Sequence, residues 1–161
     1  MRFTLAQKMV DYRVTKYDPK HRNELGHYLL DEWTEFSDVG ESVTLEDYER
    51  FESAYISAAE DIARSWDSST FTISGLEDYH NNTELKDGQR IPLADLSSVL
   101  RSLLRCEFWC RFEAPAGFIH VGSDFYMYIG SLGIDEESID RIRRRGLFIE
   151  KMTSPYHPEE C

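Results

Sequence analysis

Glu52 is the residue whose placement asks most of the chemistry. Read at 100° per residue, the segment from Thr44 to Trp66 gathers Leu45, Tyr48, Phe51, Tyr55, Ile56, Ala59, Ile62, Ala63 and Trp66 on one side, and Glu52 falls inside that apolar stripe. A carboxylate in such a place must be paired or neutral. Paired, it accepts hydrogen bonds from an Arg or Tyr of a sheet packed on the helix. Neutral, it is a raised-pKa acid in a pocket, the nucleus of a small enzyme site. Structural pairing is the expected state, because ion-pair networks perturb carboxylates as readily as active sites do.

The other reactive side chains offer less. His21, His27, His80, His120 and His157 form no i, i+4 pair and no Cys/His spacing of the zinc-binding kind. His120, between Ile119 and Val121, reads as a hydrogen-bonded sheet residue. Cys106 and Cys110 lie four residues apart on what reads as a strand, which separates them by roughly 13 Å. They share a face with Phe108 and Phe112, so both are expected in the core. Gly130-Ser131-Leu132-Gly133 lacks the lysine of a phosphate loop, and no nucleophile elbow occurs. No catalytic residue, cofactor-binding residue or metal ligand is assigned, and the chain is expected not to be an enzyme. The basic run Arg141-Ile142-Arg143-Arg144-Arg145 is expected to pair within the molecule or to offset the negative end of a helix dipole.

These residues are positioned by an alternation of strand and helix signals. Val10, Tyr12 and Val14 have strand period up to Asp18-Pro19, and residues 18 to 43 form a long polar loop with Tyr28, Trp33 and Phe36 among acids. The helix 44–66 starts well: Thr44 caps, Asp47 stands three residues on, and Val43 with Tyr48 forms a hydrophobic staple, while its polar face is expected to turn Glu46, Glu49, Glu60 and Asp61 toward solvent. A strand near 69–74 precedes a second helix after Pro92, whose stripe Leu96, Val99, Leu100, Leu103 and Leu104 leaves Arg101 and Arg105 outside. From Cys106 the period becomes two. Pro115-Ala116-Gly117 and Gly122-Ser123-Asp124 divide this region from strands near 118–121 and 125–130. A third helix runs from an Asp135 cap to Arg145, with Gly146 as its stop, and Leu147-Phe148-Ile149 closes the pattern as a strand. Strands in a run, flanked by helices, predict a single α+β domain over 1–161: a mainly antiparallel sheet with two or three helices packed on it.

Charge narrows the function. The chain carries 18 basic and 30 acidic side chains, and the segment from Asp31 to Asp61 holds eleven carboxylates against the single Arg50. A field of that sign repels phosphates and attracts basic proteins, so direct nucleic-acid binding is not expected; no membrane partner and no small-molecule substrate are expected either. No apolar run is long enough for a membrane span, the N-terminus lacks a signal-peptide h-region, and three cysteines make a poor disulfide framework. A cytoplasmic setting is expected. Trp33 and Phe36, rimmed by acids, have the composition of an interface hot spot, although core packing claims such rings equally well.

The run Val14-Thr15-Lys16-Tyr17-Asp18-Pro19, followed by Gly26-x-Tyr28 and Asp31-Glu32-Trp33-Thr34-Glu35-Phe36-Ser37-Asp38-Val39-Gly40, resembles immunity proteins of bacterial polymorphic-toxin and contact-dependent growth inhibition systems, of the sort paired with EndoU-like RNase toxins. The resemblance covers about the first forty residues. It implies a cytoplasmic antidote that binds one toxin domain and blocks its active site or substrate approach. On that reading Asp31, Glu32, Glu35, Asp38, Glu46 and Glu49 meet basic residues of the toxin and Trp33 supplies apolar contact. An acidic adaptor or regulatory module, and a small enzyme centred on Glu52, remain open alternatives.

Overall fold

The structure, a computed structural model, describes residues 9–122 and 124–158. Seven strands, β1 Val10–Thr15, β2 Thr70–Glu77, β3 Arg90–Pro92, β4 Trp109–Ala114, β5 Gly117–Val121, β6 Met127–Ser131 and β7 Phe148–Lys151, form one sheet in the order β3-β2-β4-β5-β6-β1-β7. Every pairing is antiparallel. The helices α1 Leu45–Arg64, α2 Leu96–Leu104 and α3 Glu136–Arg144 complete the α+β fold that the alternation predicts.

Local chemistry sets the helix starts. The Thr44 hydroxyl accepts from the Asp47 amide at 3.1 Å, and the Asp135 carboxylate accepts from the Ser138 amide at 2.7 Å. Each cap satisfies a helical amide that has no intrahelical acceptor. Glu46 and Asp47, then Glu136 and Glu137, occupy the positive first turns, and the arginines of α3 fill its last turn.

Register then sorts the strand residues into two faces. Tyr12, Ile129, Ile119, Phe112 and Ile73 stand side by side across the sheet and belong to the core with Tyr55, Ile56 and Ile62 of α1 and Leu96 and Leu100 of α2. The opposite face carries the row Glu150, Arg13, Tyr128, His120, Arg111 and Ser74. This polar face is covered by the tail after β7. Ser154 bonds His120 Nδ1 at 2.7 Å, the Ser154 amide and His157 both bond Asp11, and Tyr156 packs against Trp109 and Tyr128.

Three expectations are corrected here. Cys106 is not a core strand residue: β4 begins at Trp109, and Cys106 is exposed just past the end of α2, at φ +64°. Its amide reaches the Leu103 carbonyl while the Glu107 amide reaches that of Ser102, the paired bonds of a Schellman ending, which normally places glycine there. Cys110 is the buried one, its thiol pushed up to about 12 by burial. Phe125 lies outside β6, in a turn at φ +64°. Asp61, projected toward solvent on α1, is buried. The third cysteine, Cys161, lies outside the described residues.

Candidate functional site

The acidic segment divides in three dimensions into carboxylates that the fold uses and carboxylates that it leaves bare. Glu52, 1% exposed, is gripped by Arg105, whose Nε and Nη2 each donate at 2.9 Å, and by Arg101 Nε at 3.1 Å. Both arginines belong to α2 and its C-cap rather than to the sheet, so the expected partner is right in kind and misplaced in origin. They lie outside the apolar stripe of α2 because that is where they meet α1. Asp61 is held likewise by Arg145 at 2.6 Å, Arg64 at 2.8 Å and Arg141 at 3.4 Å. Two members of the basic run on α3 are thereby bound inside the molecule. Removing the charge from such a buried partner typically costs about 3–5 kcal/mol.

The residues chosen from the sequence as partner contacts are separated by the same criterion. Glu32 accepts from Lys16 Nζ at 2.8 Å. Asp38 caps the short 3₁₀ turn of residues 36–38, accepting from the Thr34 and Glu35 amides at 2.8 and 3.3 Å. Glu49 lies 3.6 Å from Arg105. Asp31, Glu35 and Glu46 are exposed and form no ion pair among the described residues. Trp33 is overturned as a surface anchor. It is 6% exposed and packs edge-on against Phe51 and Phe125 and tilted against Tyr48.

What seats Trp33 is a buried lysine. Lys16 Nζ stands 3.9 Å from the Trp33 ring centre and 4.1 Å from that of Tyr17, and donates to the Trp33 carbonyl at 2.7 Å. Burial pulls the lysine pKa down, and the hydrogen bond to Glu32 works against that fall. Nearby, the Tyr55 hydroxyl donates to the Phe125 carbonyl at 2.7 Å and accepts from the Lys16 amide at 2.8 Å, and Tyr17 donates to the Asp124 carbonyl at 2.8 Å. These tyrosines hold the backbone of Phe125 in a conformation unusual for a bulky side chain.

With Trp33 inside, the exposed apolar groups of this loop are Leu25, Leu29 and Leu30, at 80, 64 and 50% exposure. They project from a turn pinned by the Arg22–Tyr28 bridge and by Asn23, whose carboxamide oxygen accepts from the amides of Leu25 and His27. Sequence reading missed them because no periodicity distinguishes an exposed leucine in a loop from a buried one.

A cavity of about 270 Å³ opens where α2 turns into β4. Leu103, Leu104, Phe108, Val121 and Phe125 are buried in its wall, and Tyr79 stands at its lining 78% exposed. The β2–β4 ladder shifts register between Ser74 and Glu77, at Gly75 with φ +66°, and this bulge carries the following loop to the cavity.

A third cluster has the connectivity of an acid, a base and a hydroxyl. His120 Nε2 lies 3.1 Å from Glu113 and its Nδ1 lies 2.7 Å from Ser154, as a sheet histidine with hydrogen-bond partners should. Burial lowers the His120 pKa, with Glu113 opposing, and Ser154 is 4% exposed under the tail. A hydroxyl so enclosed positions the tail; it offers no approach for a substrate. Among the described residues no group of His, Cys, Asp and Glu is arranged to hold a metal ion, and no helix is long and apolar enough to cross a membrane. Comparison of the chain with protein-family models, with curated proteins and with solved structures gave no match.

Proposed function

We propose that this chain is a cytoplasmic binding protein that captures a basic protein domain on the loop between β1 and α1, in the manner of an immunity protein neutralising a toxin nuclease. One observation carries the reading: Leu25, Leu29 and Leu30 are exposed on the same loop as Asp31, Glu35 and Glu41, carboxylates with no cationic partner among the described residues. Apolar groups rimmed by charge of one sign are how an interface combines short-range contact with long-range steering. A nuclease that holds RNA presents a cationic cleft, and an acidic loop drawn to it would fill the substrate's place. Relative to the contacts expected from sequence, Glu32, Asp38 and Trp33 become supports of the loop, and Asp31, Glu35 and Glu46 remain as contacts.

The test is co-expression with a toxin domain encoded beside this gene. The chain should restore growth, and replacing Asp31, Glu35 and Glu46 together by Lys should slow association at least tenfold at low salt. Replacing Leu29 and Leu30 by Ser should instead speed dissociation. Unchanged association and full protection by the charge-reversed protein would remove this surface from consideration.

A further inference from the structure

The cavity at the corner of α2 and β4 is walled by core residues and bordered by Thr34 and Glu35, but not by the exposed leucines of the same loop, so the proposed loop contact does not account for it. Its wall is apolar, yet Glu35, Glu77 and Glu107 also line it, with no Lys or Arg among the lining residues. None of these three carboxylates forms an ion pair among the described residues, whereas Glu52 and Asp61 together occupy five arginines. Glu77 accepts from the exposed Tyr79 hydroxyl at 2.8 Å, which holds that ring beside the opening. Cys106 and Phe125 both line the cavity, and they are two of the four non-glycine residues at positive φ among those described. Backbone held in a costly conformation gathers where a site needs it more than the fold does.

Size and charge together define the occupant. An enclosed apolar cavity of about 150 Å³ already takes up a benzene ring. Sites that enclose whole drug-sized ligands run from about 300 to 1,000 Å³. A volume of about 270 Å³ therefore suits one large side chain with space around it. Carboxylates at the mouth select for cations flanking that side chain.

We infer that this cavity receives a single aromatic or large aliphatic side chain presented on a lysine- or arginine-rich segment of a protein partner. The inference rests on the basic partner proposed above and adds a second point of attachment, joined to the acidic loop through Thr34 and Glu35, which lie between β1 and α1 and also line the cavity. Tyr79, exposed at the lining, borders the incoming side chain, while Leu103, Leu104 and Phe125 supply buried apolar wall and Trp109, fixed by its bond to the Val121 carbonyl, adds a rigid edge.

The test uses three synthetic pentapeptides, blocked at both ends: Lys-Lys-Trp-Lys-Lys, Lys-Lys-Gly-Lys-Lys and Glu-Glu-Trp-Glu-Glu. Binding is followed by amide and aromatic shifts in NMR spectra of the full chain at millimolar peptide. The first peptide should shift Tyr79, Trp109 and Phe125 and bind at least tenfold more tightly than either of the others. Cys106→Phe, which fills the cavity from an exposed position, should abolish those shifts, and Tyr79→Ser should weaken binding severalfold with the remaining spectrum unchanged. Equal affinity for the tryptophan and glycine peptides, or unaltered binding by both variants, would overturn the cavity's role and leave the acidic-loop reading standing. Equal affinity for the acidic and basic tryptophan peptides would overturn the cationic selection. Failure of every peptide to shift the three residues overturns the inference outright, while toxin association by the Asp31→Lys, Glu46→Lys variant, which leaves the cavity-lining Glu35 in place, tests the acidic surface separately.

Discussion

Two sets of carboxylates lie within one span of sequence and do opposite things. Glu52 and Asp61, on α1, are buried and bound to arginines that arrive from α2, from α3 and from the last turn of α1 itself. Asp31, Glu35 and Glu46 are exposed with no such partner among the described residues. The difference teaches that charge counted along a chain is not the charge a surface presents. Eleven acids opposed by Arg50 alone describe a strongly negative segment, yet the fold returns cations to the two that it buries. What stays bare is a smaller and better-defined set, located on the loop and at the mouth of the cavity.

This contrast breaks most directly at Glu52. Glu52→Ala should lower unfolding free energy by about 3 kcal/mol, toward the low end for a buried ion pair because Arg101 and Arg105 keep some contact with water. Asp31→Ala should change it by less than about 0.5 kcal/mol. Urea titrations of the two variants compare them directly, and similar losses would erase the distinction. The next effect concerns the support beneath the cavity. Tyr55→Phe removes a hydroxyl bonded to both the Lys16 amide and the Phe125 carbonyl, and should cost about 1–2 kcal/mol by the same titration. A neutral result would mean that the Phe125 turn holds itself.

Titration sharpens the comparison on the opposite face of the sheet. Burial lowers the folded-state pKa of His120 below its ordinary 6.5, so between those two values the unfolded chain binds the extra proton. Stability from this group is fully present above pH 6.5 and is lost as pH falls through that window, with a slope of at most about 1.4 kcal/mol per pH unit. His120→Gln should flatten the slope, and a slope that survives the substitution would assign it to other groups. Glu150 acts at lower pH. Burial pushes its pKa up, but hydrogen bonds from Arg22 and Arg13 outweigh that and hold it below the usual carboxylate range. A gain is expected at one position: Cys106→Gly relieves the positive φ at the end of α2 and should add a few tenths to about 1 kcal/mol. A loss of stability there would show that the cysteine side chain contributes packing that exceeds the backbone strain.

The legible parts of the sequence were those decided by neighbours. The start of α1 was readable because Thr44, Asp47 and the apolar repeat all lie within the segment they organise, and Asp135 announced α3 in the same way. The burial of Glu52 was legible for that reason too, since helical spacing alone places it. Its partners were not, because nothing local says that Arg101 and Arg105 will face it across two helices. Trp33 illustrates the harder case. An aromatic residue between acids looks identical whether it points outward or inward, and the decision rests with Lys16, Tyr48 and Phe125, far away along the chain. Cys106 gave no warning because a left-handed helix ending is signalled by glycine, and here the signal is missing while the geometry remains. The cavity was hidden for both reasons: its wall comes from α2, β4, β5 and loops that only the tertiary structure assembles.

The outermost strands have a further consequence. β3 is three residues long and ends on Pro92, and β7 is four residues long and ends Glu150-Lys151. So little bare backbone gives another polypeptide scarcely any ladder to extend, whether that polypeptide is a stranger or a second copy. Any partner must instead be met side chain by side chain. On the binding role proposed above, recognition built that way would change its preference one substitution at a time, and a lineage carrying this fold could be retargeted without rebuilding the sheet beneath.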